Sequence, residues 1–354
     1  MKSIYVFCTG PAIGYITGHI IQGAIGCGVT IYSNLTSPKG DGRHLPARLD
    51  ASLIQYRAQP ESDDLIIIDE TRQLSLLEDH GAFFFQSLLQ RGDRNKIILV
   101  AGADDVNLTK YPSEIPCFLA HSLPGFTKNP KSFPIGWGFT AEGFEHSKEE
   151  SSSYRRDLRI IQNFNPTYSQ SVRESFLAAA IGIPALTTLL DSRHLHGDEY
   201  TTQLKTSQFC LCIGGSFFWP KSDYQYLRDR MSENSLQQEK FEIRDRLVGI
   251  FRWDSFRFWE SIAFGCIPIQ LDFEVYGFSL PIIPKKWEHY IPLNLANISK
   301  TVDDLIELSS NENRLREFSD CSKAWAIENY HPEKVFNYIL ECRKEFYKNT
   351  LNYT

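Results

Sequence analysis

Short apolar runs alternate with longer stretches of helical composition along the first half of the chain. The apolar runs predict strands at residues 4–7, 29–32, 65–69, 96–100 and 117–120. Apolar residues are continuous in these runs, which is typical of parallel strands covered on both faces. The pattern therefore predicts an α/β domain built on a doubly wound sheet.

The same alternation begins again after a segment of different composition. Residues 130–138 are rich in proline and glycine and residues 142–153 are polar, which indicates a crossover between domains. Beyond it we predict strands at 158–162, 209–212 and 267–271 and helices at 169–180 and 255–264. These elements predict a second Rossmann-like unit. The predicted boundaries are a first domain at 1–135, a crossover at 136–156, a second domain at 157–330 and a C-terminal helix at 331–354.

Length and charge agree with two globular domains and narrow the partners. A chain of 354 residues exceeds what one compact core usually holds. The net charge of -6 gives no overall basic field, so nucleic acid is not indicated as a partner. No apolar run approaches the roughly 20 residues that span a bilayer, so we expect membrane contact to be peripheral at most.

The eight cysteines are scattered, and the first residues lack the pattern of a secretory signal. We therefore expect reduced thiols and a cytoplasmic location. Cys210 and Cys212 are separated by one residue, without a second pair at zinc-finger spacing, so we predict buried strand residues and no structural zinc.

Residues 252–272 carry the most informative local pattern. Asp254 or Ser255 can cap a helix, Gly265 can end it in the left-handed conformation, and Pro268 falls on the following strand. The pattern predicts a helix, a glycine stop and a buried strand in direct succession.

Two charged residues on this helix suggest chemistry. Arg257 and Glu260 are three residues apart and share a face. An arginine at a helix N-terminus suits a diphosphate, and a carboxylate suits the two hydroxyls of a ribose. The alternative is a surface ion pair on a core helix, because such pairs are common and weak.

The surrounding residues resemble a known family. The sequence SFRFWESIAFGCIPIQL at 255–271 is similar to the signature of exostosin-type glycosyltransferases. Upstream, YTTQLKTSQFCLCIGG at 200–215 resembles a strand of that family, and residues 329–340 resemble its ending. A weaker similarity to fucosyltransferases leaves the donor nucleotide open between UDP and GDP. The resemblance implies the GT-B fold, which is α/β with two Rossmann-like domains facing each other across a cleft.

The resemblance also implies roles for individual residues. Glu260 would hold the donor ribose and Arg257 the diphosphate. Arg173 is a further phosphate candidate, with a solvated helix arginine as the alternative. Where the family has a proline before the glycine, this chain has Ile213. The residues expected close to the nucleotide are Ser255, Gly214, Gly215 and Ser216.

An inverting transfer needs a general base, and a carboxylate or histidine after a strand is suitably placed. In order of preference the candidates are Asp69, Asp41, Asp104 and His19, each with a cap, turn or structural role as its alternative. The glycines before His19 suggest a loop facing the cleft. The sequence has no D-x-D motif flanked by apolar strand residues that could hold a diphosphate-bound metal, so we expect no metal and no cofactor besides the nucleotide-sugar donor.

These observations predict a glycosyltransferase, hexosyl- or pentosyltransferase in class. It would move a sugar with inversion from a UDP- or GDP-sugar to a hydroxyl of a glycan or another acceptor. The alternative is a non-catalytic nucleotide-sugar or glycan-binding protein with the same fold.

Overall fold

The computed structural model describes residues 1–10, 12–36, 50–70, 80–102, 106, 110–125, 127–129, 131–139, 141–148, 156–164, 172–218 and 249–351. The strands, in chain order, are β1 (Ser3–Cys8), β2 (Thr30–Ser33), β3 (Ile54–Tyr56), β4 (Leu65–Glu70), β5 (Ile97–Ala101), β6 (Cys117–Leu119), β7 (Phe133–Pro134), β8 (Asp157–Ile161), β9 (Leu190–Asp191), β10 (Ser207–Leu211), β11 (Ser216–Phe218), β12 (Gly249–Phe251), β13 (Ile267–Leu271) and β14 (Ile291–Leu293).

The helices in the described part of the chain are α1 (Tyr15–Gly26), α2 (His80–Gln90), α3 (Ala141–Lys148), α4 (Val172–Ala180), α5 (Pro184–Leu189), α6 (Gly197–Thr206), α7 (Phe256–Ala263), α8 (Phe273–Tyr276), α9 (Ile298–Ser309), α10 (Glu312–Tyr330) and α11 (Pro332–Leu351). None of these helices is long and apolar enough to cross a membrane.

Seven parallel strands form the first sheet, in the order β3-β2-β1-β4-β5-β6-β7. Strand β4 lies at its centre, and all six of its residues are buried. Helices cover both faces of such a sheet, which is why the central strands are apolar without alternation. The prediction of a doubly wound α/β domain is confirmed.

Five parallel strands form the second sheet, in the order β14-β13-β10-β8-β9. Strand β10 at its centre is buried along its whole length, including Cys210, and Cys212 directly after it is also buried. The prediction that both cysteines are buried at this strand is confirmed. A separate antiparallel pair, β11 and β12, extends from the end of β10.

The chain returns to the first domain at its C-terminus. Helix α11 packs on α1, and Gly23 of α1 lies against the backbone of Pro332 at the start of α11. The hydroxyl of Tyr338 on α11 donates a hydrogen bond to the Pro134 carbonyl at 3.0 Å. The last helix therefore packs on the first domain, against α1 and beside the edge strand β7.

Candidate functional site

The second sheet has a point at which the order of strands reverses. The chain proceeds from β8 to β9 on one side and from β10 to β13 and β14 on the other, so the reversal lies between β8 and β10. In open α/β sheets, ligands bind in the crevice beyond the carboxyl ends of the strands at such a point. The loops that follow β8 and β10 are therefore the place to look for a site.

The N-terminus of helix α7 lies beside the end of β10, although Leu211 and Phe256 are far apart in the chain. Ser255 occupies the position before the first helical residue but gives the helix no side-chain cap. Its Oγ instead donates a hydrogen bond to the carbonyl of Cys212 at 3.0 Å. Ser255 therefore occupies the predicted cap position, but the prediction that its side chain caps the helix is wrong. The free N–H groups of the first turn can instead bind an anion. Gly265 follows α7 with a φ of 74°, which confirms the predicted glycine stop.

Arg257 reaches from α7 to the loop after β8. Its Nε donates a hydrogen bond to the Asn163 carbonyl at 2.7 Å, and its guanidinium centre lies 6.0 Å from the Phe164 ring. Within the described ranges no salt bridge joins Arg257 to Glu260 or to another carboxylate. The alternative of a surface ion pair is therefore not what the structure shows.

Arg173 approaches the same place from α4. Its Nε donates to the Ile213 carbonyl at 3.3 Å, and its guanidinium centre lies 5.0 Å from the ring of Phe164. The guanidinium groups of Arg173 and Arg257 thus lie over one aromatic ring, which concentrates positive charge at the ends of β8 and β10.

The glycines after β10 allow this approach. A Cβ on Gly214 would lie 3.1 Å from the Arg252 carbonyl and 3.6 Å from Nη2 of Arg173. Gly215 has a φ of 95°, which strains any other residue, and its carbonyl accepts a hydrogen bond from Val172 N at 3.0 Å. Ser216 then begins β11. The structure brings Gly214 of the predicted loop close to Arg173, while the proximity of Gly215 and Ser216 to the nucleotide stays a prediction.

Glu260 lies one turn beyond Arg257 on α7 and is half-buried. Burial is the main cause of the raised pKa of Tyr200, and the charge of Glu260 raises it further. The same charge acts on Tyr15 of the first domain. Glu260 is therefore close enough to act on one tyrosine of each domain, and its role toward a ribose stays a prediction.

Asp254 joins α7 to the first domain. Its side chain is 4% exposed. One carboxylate oxygen accepts from the backbone N–H of Trp137 at 2.9 Å and the other from Nε1 of Trp259 at 2.9 Å. The Asp254 backbone N–H donates to Nδ1 of His121, which follows β6, at 3.2 Å. The start of α7 is thus fixed to a first-domain loop and to the crossover.

Burial raises the pKa of Asp254 to about 7, although Trp137 and Trp259 favour the charged form. An unfolded aspartate titrates near 3.9, so the folded chain binds this proton more tightly. The stability that follows is fully present below about pH 4 and is lost as the pH rises through 7. We expect the free energy of unfolding to fall across this window, by at most about 1.4 kcal/mol per pH unit.

Urea titrations between pH 4 and 8 measure this slope for the wild type and for Asp254→Asn. The slope is expected to become shallower in Asp254→Asn up to pH 7. Asp69→Asn serves as the comparison, because burial raises the pKa of Asp69 only to about 6 and its contribution ends earlier. Parallel profiles for Asp254→Asn and the wild type would contradict the prediction.

Asp69, the first candidate base, has the surroundings of a structural residue. It is 1% exposed. Its two carboxylate oxygens accept from Gly14 N at 2.6 Å and from Thr17 Oγ1 at 2.7 Å. These contacts fix the start of α1 to the end of β4. Both carboxylate oxygens are taken up by hydrogen bonds within the first domain and are buried, so the geometry does not favour Asp69 as a base.

His19 lies in the second turn of α1, which begins at Tyr15 directly after Gly14. The prediction that the glycine segment before His19 is a loop facing the cleft is therefore wrong for its helical part. Its Nε2 is 3.3 Å from the Tyr330 carbonyl, and Gly138 of the crossover packs on its ring. Burial lowers its pKa to about 4, so it is neutral at pH 7. The structure therefore gives His19 a packing role, in contact with Gly138 of the crossover and with the end of α10 at Tyr330. The other two base candidates, Asp41 and Asp104, lie outside the described residues.

Sequence reasoning missed the residues that connect the domains at this site. Tyr15 packs on Phe256 with ring centroids 4.3 Å apart, and Trp137 lies 4.3 Å from the same ring. No local pattern marks Tyr15 or Trp137, because their partners are far away in the chain. Across the ranges that the structure describes, no group of His, Cys, Asp and Glu side chains could hold a metal ion.

The structure has two Rossmann-like domains, each built on a parallel sheet, and a C-terminal helix that returns to the first domain. This architecture is the GT-B class of fold. The predicted fold is confirmed. An alpha-glucosyltransferase solved with UDP-glucose and DNA containing an abasic site aligns with a TM-score of 0.53 and 12% identity, over 97% of this chain and 99% of that chain. An alpha-glucosyltransferase solved with UDP aligns with a TM-score of 0.50 and 12% identity, over 97% and 100% of the two chains. At this identity the likeness concerns the fold alone. No protein-family model and no curated protein matches the chain.

Proposed function

We propose that this protein is a glycosyltransferase that takes its sugar from a nucleoside-diphosphate sugar bound by the second domain. The observation that carries the proposal is the meeting of Arg257, Arg173 and the N-terminus of α7 at the strand-order reversal. A diphosphate leaving group carries negative charge that such a group of donors stabilises. The GT-B fold, which similar structures combine with UDP or UDP-glucose, agrees with this proposal.

We assign each part of the donor to particular residues of the second domain. Arg257 and Arg173 neutralise the diphosphate, while Glu260 on the same helix accepts hydrogen bonds from the ribose. The sugar then faces the first domain, where a hydroxyl acceptor enters the cleft. The exostosin resemblance supports the roles of Arg257 and Glu260, and UDP and GDP are both candidate nucleotides.

The acceptor is proposed to be a glycan or another hydroxyl compound. The similar alpha-glucosyltransferase is described in complex with DNA, so a DNA duplex belongs in the acceptor screen even though the net charge of -6 does not favour it. Inversion at the anomeric carbon is part of the proposal, and the coupling constant of the product's anomeric proton tests it.

Replacing Glu260 by glutamine tests the donor site. We expect calorimetry to show binding of UDP or GDP to the wild type and about tenfold weaker binding to Glu260→Gln, because a charged hydrogen bond to the ribose becomes a neutral one. The measurement is repeated with the matching nucleotide-sugars, with release of free sugar as the readout of turnover.

Glu307→Gln provides the control, since Glu307 is an exposed residue of α9 in the same domain. It should bind the nucleotide as the wild type does. If the wild type binds neither nucleotide, the proposed function fails. If it binds a nucleotide-sugar but neither transfers nor hydrolyses it, the protein is a non-catalytic binder of the same fold.

A further inference from the structure

Tyr15 brings a first-domain side chain to the start of α7. It is the first residue of α1 and follows Gly14, whose backbone N–H is held by Asp69. Its ring lies 4.3 Å from Phe256 in an edge-on arrangement and 5.3 Å from Trp137. Phe256 is the first residue of α7, so Tyr15 lies beside the helix N-terminus that carries Arg257.

Within the part of the chain that the structure describes, the hydroxyl of Tyr15 has no hydrogen-bond partner. Tyr15 is nevertheless buried, with only 6% of its surface exposed. Buried hydroxyl groups are nearly always paired, and an unpaired one lowers stability. A hydroxyl kept in this state beside a helix N-terminus indicates a partner that arrives with a ligand.

The chemistry of the surroundings restricts that partner. Burial raises the pKa of Tyr15 well above its ordinary value, and the charges of Glu260 and Asp254 raise it further. The group therefore stays protonated and can donate its O–H. The oxygens of Asp254 already accept hydrogen bonds from Trp137 and Trp259. An anionic oxygen placed at the N-terminus of α7 satisfies both the helix and the tyrosine.

We propose that Tyr15 is a donor-binding residue supplied by the first domain, whose hydroxyl donates a hydrogen bond to the diphosphate of the bound nucleotide-sugar. The inference rests on the proposed function and adds a contact from across the cleft. It makes the diphosphate the group that the two domains share, with Arg257 on one side and Tyr15 on the other. Domain closure would then be coupled to the presence of the diphosphate rather than of the nucleoside.

The test is Tyr15→Phe, which removes the hydroxyl and keeps the ring. Calorimetry compares UMP with UDP and GMP with GDP on the wild type and the variant. We expect the affinity for the preferred nucleoside diphosphate to fall about tenfold, while the affinity for the monophosphate stays the same. The melting temperature should not fall, because the variant loses only an unpaired hydroxyl.

Tyr338→Phe is the matched control. Its hydroxyl is paired, with the Pro134 carbonyl at 3.0 Å, and it lies on α11 away from the strand-order reversal. This variant should melt at a lower temperature and bind the diphosphate as the wild type does. The opposite responses of the two variants separate a ligand contact from a structural one.

Three results would overturn the inference. Tyr15→Phe could bind the diphosphate as tightly as the wild type, or lose mono- and diphosphate equally, or melt at a lower temperature with no change in selectivity. A wild type that binds neither UDP nor GDP would overturn the proposed function, and this inference with it.

Discussion

Replacing Arg257 by methionine is expected to lower the turnover number of sugar transfer by about 100- to 1,000-fold. Methionine can keep the apolar contact with Phe164 while removing every N–H donor. A guanidinium has five such donors, of which Nε bonds to the Asn163 carbonyl. The donors on Nη1 and Nη2 are the ones we assign to the diphosphate, where charge develops as the sugar leaves.

The measurement is kcat and KM with the nucleotide-sugar that the wild type accepts, for Arg257→Met and Arg257→Lys. Lysine keeps the charge but not the planar pair of donors, so we expect partial recovery of kcat. Arg193→Met is the control, because Arg193 is an exposed arginine of the same domain paired with Asp191 at 2.6 Å. If Arg257→Met turned over as fast as Arg193→Met, Arg257 would have no part in the reaction.

The sheets could be predicted because their central strands need no distant information. The run LIIID predicts a buried strand at residues 65–69, and the structure has β4 at Leu65–Glu70 with every residue buried. The strand predicted at 267–271 is β13, Ile267–Leu271. A short run rich in β-branched residues, such as the three isoleucines of β4, favours a strand over a helix.

The edges of the sheets could not be predicted in the same way. Strands β3 and β9 have three and two residues, too few to establish a period. They exist because an adjacent strand offers unpaired backbone groups, which is a tertiary cause. The segment before His19 is another case in which local sequence and tertiary packing disagree. Its glycines predicted a loop, but the structure has helix α1 there. Glycine disfavours a helix locally, but packing against α11 stabilises α1 despite Gly18 and Gly23.

The residues of the candidate site likewise fall into those that local spacing predicts and those that only the fold brings together. Arg257 and Glu260 are three residues apart on α7, so their shared face follows from helical spacing. The hydrogen bond from Trp137 to Asp254 joins residues 117 positions apart. A single sequence contains no pattern that relates such positions, and only the fold places them together.

Replacing Gly23 by alanine is expected to destabilise the protein by about 2 kcal/mol. A Cβ at this position would overlap the Pro332 carbonyl, which is backbone and cannot rotate away. Overpacking of this kind costs about 1–3 kcal/mol or more, while the better helix propensity of alanine offsets about 1 kcal/mol. The helices α1 and α11 must separate to admit the methyl group. The measurement is the free energy of unfolding from urea titration, read together with the melting temperature.

Gly26→Ala in the same helix is the matched control. Its Cβ would meet Oε1 of Glu333 at 2.7 Å, but this atom ends a flexible side chain that can move into solvent. We expect the control to stay within about 0.5 kcal/mol of the wild type. Equal stability of both variants would show that α1 and α11 do not need close backbone contact. A loss confined to Gly23→Ala would instead show that close backbone contact between α1 and α11 fixes the C-terminal helix to the first domain.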